Sequence, residues 1–438
     1  MWYHWLFAQS FQIAVLLADF ATAAEHWDEM LVKHTWNSVP ANWESLGNTT
    51  AGAMINLHLA LKPDRESAFI DALSEVSDPA HPRHVLLTTP LLSPSFTCAA
   101  SFRYGAYLSK EQAAELVSPH PDTLELVRAW LLHHGIRSSS ISTSHGGSWL
   151  TITDVLVSQA NQLLGASYQL YRNSKTNATI IRTVSYALPA KLHTHIRTVA
   201  PTTHFPSTRG MRQTPSKRAA PAQAQPASGN LTARQDIDMK PSVLRWLYKT
   251  DTYRPLAPYR NTIGILGIDN DYPSKIDLTH FMTRFRFEGR DADFTVIPLN
   301  DGGYNPSDPG DAASLGVQYA TAIAYPTPLV FYSLGGDTDW DHNDVPTARD
   351  MYLVWLQSLL RQEDPPQTIS IPYGEPEMGL PPQYASSVCE LFGQLGLRGV
   401  TVLVASGKDG VGEGNCVNAG GDVQFIPEFP ASCTCGVL

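Results

Sequence analysis

The sequence predicts an α+β domain followed by an α/β domain built on a parallel sheet. Three observations lead there. Short alternating strands interleave with amphipathic helices over residues 25 to 205, and β-branched runs alternate with helical patterns after residue 239. Between them, residues 206–238 are rich in Pro, Ala, Gln and Arg and lack apolar periodicity, as a flexible connector does. Its basic spots (Arg209, Arg212, Lys217-Arg218, Arg234) are open to proteolysis.

In the first domain, Leu57 to Lys62 alternates as a strand, and Arg65 to Val76 places Phe69, Leu73 and Val76 at helical spacing. Ser109 is an N-cap with Glu111 in the first turn that follows. Pro121 to Leu132 forms a helix with Leu124, Val127, Trp130 and Leu131 on one face; Leu150 to Val155 is a strand, and Ser158 to Leu164 a helix. In the second domain, strands are expected at Ile263–Ile268, Thr295–Leu299, Pro328–Leu334, Thr368–Tyr373 and Thr401–Ala405. Helices are expected at Ala312–Ile323, Ala348–Leu360 and Tyr384–Leu395. This βαβα order implies a parallel sheet covered on both faces.

Composition narrows the function classes. Hydrophobic residues make up 43% and charged residues 16%, as in a soluble globular protein. A net charge of −10 argues against nucleic-acid binding, which calls for a basic face. Residues 1–24 read as a secretory signal: Phe11 to Leu17 is largely apolar and Ala21-Thr-Ala-Ala24 offers a small-residue cleavage site, although the start lacks Lys or Arg and Asp19 interrupts the apolar stretch. No later window reaches the run of about 20 apolar residues that a membrane span needs. Sequons at Asn48, Asn177 and Asn230 agree with export.

The five cysteines are Cys98, Cys389, Cys416, Cys433 and Cys435. In an oxidising compartment Cys416 pairs with Cys433 or Cys435, with Cys416–Cys433 the expected bridge, and the odd count leaves a thiol over. Their spacing does not make a zinc site. Asp337-Thr-Asp-Trp-Asp341 begins like a calcium loop, but His342 replaces the glycine and Ala348 the bidentate Glu, so no metal ligand is assigned.

Gly399 to Ala405 is a buried-strand run ending in the turn Ser406-Gly-Lys-Asp-Gly-Val-Gly412. That run resembles the sedolisin family, the subtilisin-like serine–carboxyl peptidases, whose turn reads Ser-Gly-Asp-x-Gly-Val-Gly. The first domain is similar to the sedolisin activation propeptide through Val76-Ser-Asp-Pro-Ala-His-Pro82, Tyr104-Gly-Ala-Tyr-Leu-Ser109, Val127-Arg-Ala-Trp-Leu131, Tyr186-Ala-Leu-Pro189 and Val199-Ala-Pro-Thr-Thr-His-Phe205. Residues 85–103 are an atypical insertion against that pattern, either a retained intron or a loop. Residues 239–438 resemble the N-terminal part of the peptidase domain through Leu244-Arg-Trp and Asn261 to Ile268, with Val243 where the family usually has Cys. The resemblance therefore implies a signal at 1–24, a propeptide domain at 25–205, a connector at 206–238 and an incomplete subtilisin-like sheet at 239–438.

The resemblance also implies which side chains should do the chemistry. A peptidase working in acid cannot use imidazole as its base, because it is protonated there; a carboxylate replaces it. The family places Glu and Asp at i and i+4 of a helix reading Glu-Ala-x-Leu-Asp-x-Gln-Tyr. Here the helix reads Ala312-Ala-Ser-Leu-Gly-Val-Gln-Tyr319, so Ala312 and Gly316 stand at the acid positions. Asp311 is a displaced acid, one residue early and turned about 100° around the helix, where it also suits the helix N-terminus. Lys408 replaces the oxyanion Asp, with Asp409 one position off. The family's nucleophile and calcium site fall beyond Phe429-Pro-Ala-Ser-Cys433, so no cofactor is expected in this chain. Glu375 and Glu377 fit either a loop near the cleft or solvated acids.

Two readings follow from these residues. One is a secreted, extracellular peptidase homologue of the tripeptidyl-peptidase type, monomeric, acting on peptides or proteins and engaging neither nucleic acid nor membrane, but inactive and either a gene-model fragment or a pseudoenzyme. The other is a non-catalytic protein that binds peptides or a peptidase.

Overall fold

A computed structural model describes residues 27–78, 105–206, 209–210, 239–255, 261–268, 271–300, 302–335, 350–407, 410 and 422–434. The signal segment, the 85–103 insertion, most of the connector, the Asp337–Asp341 loop, Lys408, Asp409, Cys98, Cys416, Cys435 and Asn230 lie outside them.

The N-terminal unit runs β1 (Met30–Thr35), β2 (Trp43–Asn48), β3 (Met54–Leu61), α1 (Glu66–Ser77), α2 (Lys110–Leu116), α3 (Pro121–His133), β4 (Ile141–Thr143), β5 (Trp149–Leu156), α4 (Val157–Leu164), β6 (Gln169–Asn173), β7 (Thr179–Arg182), β8 (Ser185–Pro189) and β9 (Ile196–Ala200). Its main sheet is antiparallel in the order β4-β5-β3-β9, beside the smaller sheets β2-β6-β7 and β1-β8. The helices start where the local chemistry asks. Ser109 closes a capping box with Gln112, its side chain accepting from the Gln112 amide while Gln112 accepts from the Ser109 amide. Pro121 opens α3, where a missing N–H costs nothing, and Gly165 ends α4 at φ +51° in the left-handed region. Trp130, Leu131, Leu150, Ile152, Leu163 and Leu188 fill the core.

The C-terminal unit contains α5 (Pro241–Leu247), β11 (Ile263–Gly267), α6 (Lys275–Phe285), β12 (Phe294–Leu299), α7 (Asp311–Ala324), β13 (Leu329–Leu334), α8 (Met351–Arg361), β14 (Thr368–Ile371), β15 (Tyr373–Pro376), α9 (Pro382–Leu397), β16 (Thr401–Val404) and β17 (Glu428–Phe429). The short strand β10 (Arg209–Gly210) precedes them. Every pairing in the five-stranded sheet, order β12-β13-β11-β14-β16, is parallel, as the alternating pattern implied. The strand expected at Thr368–Tyr373 divides at Pro372, and its second half, β15, joins an antiparallel sheet between β10 and β17. The chain leaving the N-terminal unit thus adds an edge strand beside Tyr373 and Gly374.

Helix α9 ties the two units together. It is buried on nearly every side, from Tyr384 and Val388 through Glu390, Leu391, Phe392 and Gln394 to Leu397, as befits a helix covered on both faces. One core cluster holds Ala60, Trp149 and Ala200 of the N-terminal unit together with Trp355, Tyr384, Leu391 and Phe392 of the C-terminal one. A smaller cluster packs Phe69, Leu73, Val76 and Val117 against Leu397.

The cysteine pairing corrects the expectation. Cys433 bonds to Cys389, not to Cys416. Helix α9 delivers Cys389 to the turn at Pro430–Cys433, bringing the two Cα atoms to 5.4 Å across 44 positions of sequence. Proximity in the chain was the wrong guide, because the helix crosses the longer separation. Cys433→Ser is expected to lower stability by about 2–4 kcal/mol, checked by urea denaturation of the oxidised proteins. Equal stability would contradict a structural role for the bond.

Candidate active site

The helix at which the resemblance locates the acid pair is α7, and its start is built without a local cap. Gly310 occupies the N-cap, and the cap is supplied from a distance: the Asp271 carboxylate, just past β11, accepts from the Ala313 amide at 3.1 Å. Asp271 is buried and lies near the Tyr373 hydroxyl, 3.5 Å away. A Cβ on residue 310 would fall 1.3 Å from Asp271 Oδ1, so only glycine fits there.

Residues 311, 312 and 316 then take different surroundings. Asp311 is exposed in the first turn, on the rim of an open cavity of about 400 Å³ that Asp277, Ala312, Ser314, Leu315 and Gln318 also line. Ala312 is buried, 5% exposed. Gly316 faces β11, and a Cβ there would sit 3.6 Å from Ile265 Cγ2. The space for a side chain exists at 316, but the residue supplies none. Farther along, the Tyr319 hydroxyl donates to the Met239 carbonyl at 2.9 Å and its ring rests on Phe281, which fixes this helix against α5 and α6. At the end of β16, Gly407 adopts φ +79°, the left-handed geometry expected of the glycine turn.

Glu375 is no solvated acid. It is 2% exposed, while Glu377 stays partly exposed. His204, at the end of the N-terminal unit, lies between two carboxylates of the C-terminal unit: Nδ1 is 3.1 Å from Asp350 Oδ1 and Nε2 is 3.3 Å from Glu375. The imidazole stacks on Tyr384 at 4.6 Å, and Arg182 Nε donates to the His204 carbonyl at 2.6 Å. Burial alone would lower the His204 pKa, but the Glu375 charge and the hydrogen bonds to Asp350 and Glu375 raise it to about 9. Asp350 moves the other way. Burial opposes its charge, yet the His204 hydrogen bond and the charges of Arg182 and His204 bring it down to about 2. The imidazolium therefore donates from both nitrogens, one to each acid.

A second buried pair also joins the units, Arg197 to Glu390 at 2.7 Å, with Glu66 3.0 Å from the same guanidinium. Arg197 and Glu390 are enclosed while Glu66 is exposed, and none of the three lines the α7 cavity.

Sequence reasoning missed His204, Asp350, Arg182 and Asp271. Asp350 falls inside the helix expected at Ala348–Leu360, with no local sign of a distant partner. It holds the N-cap position of α8, but its side chain caps nothing there and turns to His204 instead. Of the sequons inside the described residues, Asn48 and Asn177 are both exposed, Asn177 at φ +59° in a turn. Among the described residues no group of three or more His, Cys, Asp or Glu side chains is arranged to hold a metal ion.

Comparison with known proteins adds lineage to this geometry. Residues 98–205 match the family described as Pro-kumamolisin, activation domain. Tripeptidyl-peptidase SED2 of Arthroderma otae is 27% identical over 443 residues, covering 95% of this chain and 68% of that protein. Probable tripeptidyl-peptidase SED3 of Trichophyton verrucosum is 28% identical over 411 residues, covering 90% and 64%. The chain thus spans about two thirds of the length of the curated relatives it matches. Among solved structures, Pseudomonas sedolisin (serine-carboxyl proteinase), complexed with two molecules of pseudo-iodotyrostatin, aligns with a TM-score of 0.33 and 18% identity over 45% of this chain and 52% of that one.

Proposed function

This chain belongs to the sedolisin family, as a precursor of the tripeptidyl-peptidase type, and from that premise we propose that it is an exported peptidase homologue without peptidase activity of its own. Helix α7 carries the reading. Ala312 and Gly316 stand where the resemblance expects the carboxylates that would take and return the reacting proton, and neither has a group that can titrate. A positioned general base contributes about 10²–10⁴ in rate, and a catalytic set loses most of its effect when one member goes. Asp311 does not substitute for the pair. It is a single acid, exposed, on the rim of the cavity and about 100° around the helix from position 312.

The Cys389–Cys433 bond and the exposed Asn48 and Asn177 sequons support an exported, oxidising setting. Peptides remain the ligand class, and the open cavity beside Asp311 is where a peptide would be held rather than cut.

The test is release of tripeptides from an N-terminally unblocked peptide at pH 4, followed by mass spectrometry with the purified chain. No release above the buffer rate is expected. Release above it overturns the proposal, and its loss in Asp311→Ala would assign the acid to residue 311.

A further inference from the structure

We propose that the N-terminal unit is a permanent subunit of this protein: after the connector is cut, residues 27–206 and the C-terminal unit stay assembled, in acid as well as at neutral pH. Three independent features of the contact between the units point this way.

The first is a shared core. Trp149, Ala60 and Ala200 belong to the same buried cluster as Tyr384, Leu391 and Phe392, so parting the units would open the core of each to water. An interface that resembles a core cut in half is the mark of an obligate association.

Fit is the second. Helix α9 approaches α1 so closely that a Cβ on Gly393 would lie 2.6 Å from Phe69 Cζ, and one on Gly396 would lie 3.1 Å from Leu73 Cδ1. Two glycines on one helix face let the other unit's aromatic and aliphatic side chains seat against the backbone.

The third is the charge arrangement. His204 of one unit is enclosed by Asp350, Glu375 and the Tyr384 ring of the other, with Arg182 of its own unit on its carbonyl; His58 and Tyr168 lie within the field of Asp350. Arg197 and Glu390 form a second crossing pair, each about nine-tenths or more buried. A contact of this kind opens in acid when its carboxylates take up protons. Asp350 is held ionised down to about pH 2 and His204 stays charged up to about pH 9, so this clamp persists in acid. Burial raises Glu390 instead, so the Arg197 pair weakens sooner there and the shared core carries the assembly. Antiparallel pairing of β10 with β15 adds backbone hydrogen bonds directly after the clamp.

The experiment uses the full chain with a site-specific protease sequence inserted between Ala224 and Gln225. After cutting, size exclusion at pH 7 and pH 4 is expected to return both pieces in one peak with the mass of the uncut chain. Separation at pH 4 overturns the proposal, whatever the peptidase assay gives, since the readout does not depend on activity. Gly393→Leu is expected to raise the dissociation constant of the cut pieces at least tenfold by driving α9 off Phe69. His204→Ala should do the same through a different contact, so that poor folding of one variant leaves the other to decide. Dissociation constants unchanged in both variants would overturn the assigned anchors.

Discussion

Asp350→Ala is expected to lower the unfolding free energy by about 3–5 kcal/mol, because it leaves the His204 imidazolium enclosed with one of its two acids removed. Asp350 is fully buried and His204 4% exposed, so water cannot replace the lost partner without opening the contact between the units. The pH dependence gives the prediction its signature. Asp350 is depressed from an ordinary value of 3.8 to about 2, so its contribution is complete above the ordinary value and is lost as pH falls through 2. His204 is raised from 6.5 to about 9, so its contribution is complete below 6.5 and is lost as pH rises through 9. The difference between wild type and variant should therefore be largest between about pH 4 and 6.5 and shrink on both sides. Urea titrations at several pH values measure this, and a difference that does not vary with pH would contradict the clamp.

Trp355→Ala carries the second large effect, a loss of about 3–5 kcal/mol from the cavity left in the core. Trp355 is fully buried on α8 between the helix and the sheet, edge-on to Tyr332 at 6.3 Å. Among the described residues its indole nitrogen has no hydrogen-bond partner. Trp355→Phe should consequently cost far less than the alanine change, since it keeps most of the ring contact and removes a donor that is buried unsatisfied. Thermal melts of both variants check the order, and equal losses would contradict it.

The fold was largely legible in the sequence because its signals are local. The strand run Thr401–Val404 and the amphipathic pattern of α3 need only neighbouring residues to declare themselves, and Ser109 with Glu111 two positions on is an equally local helix start. Helix α6 was missed: its Ser274 cap is present, but its apolar face rests on few residues, Leu278 and Met282 being the buried ones. The reading of Ala312 and Gly316 as the acid positions rests on an equally local pattern, the resemblance being anchored on Leu315, Gln318 and Tyr319 of the same helix. What stayed hidden depends on partners far apart in the chain. His204 meets Asp350 and Glu375 across 146 and 171 positions, and Cys389 reaches Cys433 across 44. Asp271 caps a helix that begins 40 residues later, where the local cap is a glycine with no side chain. No pattern within a window of sequence reports such pairings. They are set by how α9 and the parallel sheet stack the two units.

Both units form one folded body around α9. Differential scanning calorimetry of the full chain at pH 5.5 tests the unity most directly. A single transition, with calorimetric and van't Hoff enthalpies equal, is the predicted result. Two separated transitions, one for each unit, would contradict it.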